Sequence, residues 1–269
     1  MSDQNVKAAQ KYLNAMFGGH KDWVKLDEDG KTGTAVMQGI IRAFQIQNGI
    51  STITGTVGPL TINTMKKLAI ITKMDPNDTP QVNVCLIQCA LFCKGYAAGG
   101  ITGIYYTSGV NAVKKMQENA GLEVTGKIDW KVWSGLLSLN WFTKVSGGDS
   151  NIVLIQQQLN SDWSDVIGVG PCDGIASRQT ILSLVGALQA AEGVTTELIT
   201  DLNSVNLAMQ QQMRFRVHYR TDRTRRNMFH LIRLLNTDYI LTDIIREDSM
   251  ACLIRLQSQR CQNFRSFMV

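Results

Sequence analysis

The chain of 269 residues is 44% hydrophobic and 18% charged, enough for two or three small domains with cores of their own. Its formal charge of +5 is unevenly placed: residues 1–206 hold 16 Lys and Arg against 17 Asp and Glu, whereas residues 207–269 hold 11 against 5. A neutral body excludes a general electrostatic case for nucleic acid, and no apolar run approaches the roughly 20 residues of a membrane span.

The start, MSDQNVKAAQ, is polar and lacks the charged-then-apolar layout of a secretory leader. Export by another route, release on lysis and residence inside the cell all stay open. Val6, Ala9, Leu13 and Met16-Phe17 then place apolar groups on one face of a first helix. A loop with His20 and Trp23 follows and ends at Asp29-Gly30, a pair suited to a tight turn. Thr34 is expected to cap a second helix with the stripe Val36, Ile40, Ile41 and Phe44, and Gly49 to end it as a left-handed C-cap. "GPLTINTMKKL" begins a third helix, with Pro59 in its first turn.

This unit recurs. "GIIRAFQIQNGI" at 39–50 aligns with "NAVKKMQENAGL" at 111–122 and "SLVGALQAAEGV" at 183–194. Gln45, Gln117 and Gln189 stand 72 residues apart, as do Gly49, Gly121 and Gly193. A glycine turn precedes each copy: Asp29-Gly30, Thr102-Gly103 and Asp173-Gly174. Thr54-Gly55 and Thr125-Gly126 follow the first two. The second copy runs from Val84 to Leu139, with Asp129 as a cap and Trp130, Trp133 and Leu137 on its packing face. The third runs from Ile152 to Leu202, with Thr195 or Thr196 as a cap and no glycine turn before its last helix. The expected organisation is all-α, with segments at 1–75, 80–146 and 149–206 and an Arg-rich tail at 207–269.

The combination of an apolar helix, D-G, a helix carrying F-Q-x-x-x-G-[LI], a T-G or D-G turn and a last helix resembles the peptidoglycan-binding module of bacterial wall hydrolases. "DG" at 29–30, "FQIQNGI" at 44–50 and "TGTVGPLTINTM" at 54–65 carry the best match. The second copy has Met116-Gln117, and the third Leu188-Gln189, in place of F-Q. The resemblance covers roughly 1–206. It implies tandem three-helix modules, each with a small core, that bind cell-wall glycan or stem peptide. Asp29, Gly30, Phe44, Gln45, Gly49, Gly103, Gln117, Gly121, Asp173, Gly174, Gln189 and Gly193 would be the structural motif. It further implies a wall or extracellular location, and in an intact relative a following glycoside-hydrolase-like domain.

Residues for chemistry are scarce. His20 is the one histidine before 207, too few for a zinc peptidase or amidase. Cys85, Cys89 and Cys93 share a helix face that could offer thiolates to a soft metal, but no partner follows at zinc-site spacing, so they read as buried apolar groups and free thiols. A glycosidase needs two carboxylates across one cleft, whereas Glu28, Asp29, Glu118, Glu123 and Glu192 lie near turns or helix ends. No catalytic residue, metal or cofactor is therefore expected. Trp23, Tyr105, Tyr106 and Trp163, read as loop residues beside the turn glycines, are the candidate ligand contacts, with packing across helix ends as the alternative role. Gln45, Gln117 and Gln189 are expected to fasten turns through their amides. The function expected is non-catalytic wall binding by a monomer, in which linkage of three modules raises avidity by roughly 10²–10⁴. The rival readings are a wall-lytic hydrolase with an unrecognised site and a structural array that binds only proteins.

The tail has a different composition: residues 1–206 contain 14 Lys and 2 Arg, and 207–269 contain 0 Lys and 11 Arg, while all 23 Gly and all 5 Trp precede 207. Moved back one base, 239–251 can read "LYFNGYYPGxFDG", similar to "LFCKGYAAGGITG" at 91–103. The codons overlapping Tyr239, Ala251 and Val269 must then encode Leu, Gly and Gly, which fall opposite Leu91, Gly103 and Gly121. The tail is read as a frameshifted fourth repeat, and as mobile or poorly packed. Its alternative is an authentic basic tail for an anionic polymer, a lipid surface or nucleic acid.

Overall fold

The computed structural model describes residues 2–191. Among them are eight helices: α1 (Gln4–Phe17), α2 (Thr34–Gln47), α3 (Pro59–Lys67), α4 (Val82–Cys93), α5 (Thr107–Ala120), α6 (Trp130–Leu137), α7 (Ser150–Ile167) and α8 (Arg178–Ala191). One antiparallel bridge, Ile71 with Ile128, is the extended pairing among the described residues. The chain through Ser183 forms one compact unit, and Leu184 onward belongs to a second. Gly193, the caps expected at Thr195 or Thr196, and the tail at 207–269 lie outside the described residues.

The helix starts follow local chemistry. Asp3, Asp129 and Asp149 accept backbone N–H bonds at the first turns of α1, α6 and α7. Pro59 opens α3. Thr34 does not cap α2; it is the first helical residue, and Gly33 before it has no side chain to offer. The expected stripes are buried (Val6, Ala9, Leu13 and Phe17 on α1; Val36, Ile40, Ile41 and Phe44 on α2). Met16 is the exception, 49% exposed, because Phe17 takes the inward place.

Between the helices one device recurs five times. A glutamine on the preceding helix accepts the N–H of a turn glycine and donates its amide to groups around the same turn. Gln10 holds Gly30, Gln45 holds Gly55, Gln88 holds Gly103, Gln117 holds Gly126 and Gln156 holds Gly174, at 2.7–3.0 Å. Within each turn the Asp or Thr before the glycine accepts the N–H two residues on. Each glutamine is thus a buried polar group with its donors and acceptor engaged. Gly30 and Gly174 have φ of 71° and 80°, and a Cβ there would meet the Asp3 carbonyl at 2.6 Å or the Asp149 carbonyl at 2.8 Å. Those glycine carbonyls accept the N–H of Asp3 and Asp149, so turn and helix start are fastened together.

The sequence leads to a small core in each module with stacked neighbours adding stability; in the structure the cores of the first two segments join. One hydrophobic cluster runs from Val6 to Phe142 and takes in Val169 and Cys172. The reason lies in α4: Val84 to Cys93 are all buried, so the helix is apolar on every side and needs partners on every side. It packs on α1 and α2 of the first segment as well as on α5 and α6 of its own. Phe44 meets Trp133 across this junction, with ring centroids 4.9 Å apart.

Candidate functional site

The four aromatic candidates have separate fates, and no two of them stack on each other. Tyr105 is corrected outright: it is fully buried, its hydroxyl donates to the Gly126 carbonyl at 2.7 Å, and burial pushes its pKa up. It ties two neighbouring turns together and offers no surface to a ligand. Tyr106 is half-buried at the N-cap of α5. Trp163 is also half-buried, but it lies inside α7 and not in a loop, because the run from Ser150 continues to Ile167.

Trp23 has the most developed surroundings. Its ring is half-buried and stacks on Phe17, centroids 5.7 Å apart at 30°. Its Nε1–H donates to Asn14 Oδ1 at 3.3 Å. Asn14 in turn holds the loop, accepting from Leu26 N–H at 2.9 Å and donating to the Leu26 carbonyl at 2.8 Å and to Glu28 Oε1 at 3.1 Å. The result is an indole with one face backed, its polar edge anchored, and an exposed carboxylate one amide away.

Asn14 was not singled out in the sequence, although the signal was there. "QKYLN" at 10–14 and "QQQLN" at 156–160 share Q-x-x-L-N, with the glutamine clamping a turn, the leucine buried and the asparagine fastening a loop. Trp141 also went unread. It is 41% exposed, and its carbonyl accepts from Cys172 N–H at 2.8 Å. Beside it the buried Lys94 ammonium donates to the carbonyls of Ser138 and Asn140, and desolvation lowers the Lys94 pKa to about 8.

Several other groups with catalytic potential are held in structural bonds. Asp29 accepts from Lys31 N–H and from Gln10, which lower its pKa in that order. Glu118 pairs with Lys115 at 2.7 Å on the surface. His20 accepts the Asp22 N–H at 3.2 Å. Cys85, Cys89, Cys93 and Cys172 are buried free thiols, and desolvation raises the pKa of each, to about 12 for Cys93 and Cys172. Such thiols behave as apolar packing groups. Among the described residues no cluster of three or more His, Cys, Asp or Glu could hold a metal ion.

With this geometry in place, comparison with known proteins is decisive for the first two segments. Residues 2–65 and 80–136 match a family described as "Putative peptidoglycan binding domain". These two segments belong to that family. The chain is 40% identical over 199 residues to Uncharacterized protein YbfG of Bacillus subtilis (strain 168), covering 74% of this chain and 27% of that protein. It is 34% identical over 199 residues to Uncharacterized protein FadG of the same organism, covering 73% of this chain and 34% of that protein. The chain thus spans about a third or less of the curated relatives it matches. No solved structure gives a significant match. A family of this description fits association with the cell wall or the extracellular side. No described helix is long and apolar enough to cross a membrane.

Proposed function

We propose that the protein is a non-catalytic binder of bacterial peptidoglycan. The observation that carries this reading is the pair of matched modules at 2–65 and 80–136. Trp23 supports it from the structure, as an anchored aromatic surface of the kind that sugars and peptides meet. Residues 149–206 are assigned as a third module, on the strength of the Gln156 clamp at Asp173-Gly174 and the second Q-x-x-L-N. Of the sequence candidates, Trp23, Tyr106 and Trp163 keep partly exposed rings; Gln45 and Gln117 serve the turns, and the Gln189 side chain is outside what the structure describes. The test is sedimentation of the purified chain with sacculi, scored together with release of sugar or peptide. Binding without release is the expected result; release would make the protein a hydrolase, and failure to sediment would favour a protein-binding array.

The same proposal has the modules target a longer wall hydrolase. Its support is that the aligned 199 residues occupy 27% and 34% of the two relatives, leaving room there for further domains. Residues 207–269 are proposed to be a product of a shifted reading frame, supported by the change from lysine to arginine and the loss of glycine. Sequencing the gene across codons 200–215 and beyond 269 tests this: an intact open frame with no slip would refute it.

A further inference from the structure

The turn glycines give the three segments a common ruler. Four residues before Gly30 and Gly174, Leu26 and Gly170 each donate a backbone N–H to the asparagine of a Q-x-x-L-N, Asn14 or Asn160. In the second segment the run is "QCALF", and the buried Phe92 replaces the asparagine. Seven residues before the turn glycines stand Trp23, Tyr96 and Ile167. The three loops are therefore counterparts, and their exposure can be compared directly.

Two of them present no aromatic ring to solvent at this position. In the second segment Gly95, Ala97 and Gly99 are exposed, but the side chains between them turn inward: Lys94 and Tyr96 are each 8% exposed, Ala98 is fully buried, and the Tyr96 hydroxyl accepts from the Asn119 amide at 3.1 Å. In the third, Ile167 at the aromatic position is half-buried at the end of α7, and 169–172 are all buried: Asn140 donates to the Val169 carbonyl, and the Cys172 N–H to the Trp141 carbonyl. Asn160 meanwhile reaches out of its own segment to the Ala120 carbonyl at 2.8 Å. The second loop is thus closed over its own α5, and the third forms a joint to the second segment. Only in the first segment is the loop open: residues 18–25 are exposed apart from the half-buried His20 and Trp23.

Building on the wall-binding reading, we infer that the described chain carries one saccharide site of this type, at Trp23 in the first segment, and that the matching loops of the second and third segments are taken up in packing, the third as a joint between segments, without binding glycan. Phe17 covers one face of the indole, leaving the other for the apolar face of an N-acetylated pyranose. The anchored Nε1–H keeps the ring from turning, so little freedom is lost on binding. Glu28 uses Oε1 for Asn14, and its other oxygen is available to a sugar hydroxyl or acetamido N–H. Linked low-affinity sites then do not explain the repetition; the copies build a rigid support for one contact.

Calorimetric titration of the full chain with N-acetylglucosamine tetramer, and with muropeptides released from sacculi by lysozyme, tests this. One site per chain is expected, weakened by at least about tenfold in Trp23→Ala and about threefold in Trp23→Phe, with Tyr96→Phe unchanged. The phenylalanine variant keeps the stack on Phe17, so it decides the matter if the alanine variant melts early. Two or three equal sites, or wild-type affinity in both Trp23 variants, would overturn the inference. A chain that sediments with sacculi yet binds neither probe would refute the saccharide assignment and leave wall binding intact. A chain that does not sediment at all would remove the wall-binding reading itself.

Discussion

The junction between the first and second segments packs α1 and α2 on α4 and α3 on α6, whereas the junction between the second and third rests on α5 against α7, and the two differ in chemistry as well. At the first, α4 buries Cys89, Phe92 and Cys93, and the Phe44 ring meets Trp133 at a tilt of 57°. At the second, the corresponding face of α7 carries Gln157 and Asn160, which donate to the carbonyls of Asn119 and Ala120, and Lys131 pairs with Asp165 at 2.9 Å. Apolar burial is non-directional and merges two modules into one core. Hydrogen bonds fix a geometry, but each contributes only about 0.5–1.5 kcal/mol net. One array can therefore hold a fused pair and a third member docked mainly by polar bonds, with Val169 and Cys172 its contribution to the shared cluster.

The largest effect should come from emptying the fused junction. Trp133→Ala is expected to destabilise by about 3–5 kcal/mol and to lower the melting of the first two segments together, as read by calorimetry. Separate transitions for 1–75 and 80–146 would break the comparison. Trp133→Phe should cost much less, since the Trp133 Nε1–H is buried without a partner and nothing is lost with it. At the docked junction, Asn160→Leu leaves the Gly170 N–H unpaired, at about 1–3 kcal/mol for a buried group, and leaves the Ala120 carbonyl with the weak Cys172 thiol donor at 3.6 Å. Hydrogen exchange should then show lost protection around 168–173 with the fused pair unchanged; uniform loss would mean that the two junctions are one cooperative body.

Alkaline pH sharpens the contrast further. A thiol whose folded pKa is raised above its ordinary value near 9 keeps its proton in the fold and loses it when unfolded. Its contribution is present below that ordinary value and declines as pH rises above it, by about 1.4 kcal/mol per thiol per pH unit. The fused junction holds Cys85, Cys89 and Cys93, the docked one Cys172, so the fused pair should lose more stability between pH 9 and 10.5 in reductant. Lys94 acts in the other sense. Its folded pKa of about 8 lies below the ordinary 10.5, so its burial penalty fades as pH rises across that window, and Lys94→Met should steepen the alkaline loss. The smallest effect is Asp165→Asn, about 0.5 kcal/mol, because Asp165 is 74% exposed in its pair. A larger loss by denaturant titration would mean that this ion pair carries the docking.

Much of this fold is legible residue by residue. The helix stripes, the Asp129 cap, Pro59, and the roles of Gln45 and Gln117 as turn fasteners depend on neighbours within about 20 residues along the chain, and the structure bears them out. Gln10, Gln88 and Gln156 use the same bonds but escape a search aligned on one helix per unit. The candidate site was legible only in part. Trp23 stands out as a loop aromatic, but so does Tyr105, and both have aromatic side chains beside a turn glycine. What separates them is the partner that arrives from elsewhere: Gly126 closes over Tyr105, while Phe17 and Asn14 support Trp23 from beneath.

Periodicity and turn chemistry in the sequence by themselves determined an all-helical chain of recurring units, because helix stripes, caps and glycine turns are short-range physics. The tertiary structure alone decided that the first two modules share a core, and that one of three matching loops stays open. Both depend on which surfaces meet across distances of 40 residues and more, as Asn160 meets Ala120, and no local pattern encodes which surface a neighbour will cover.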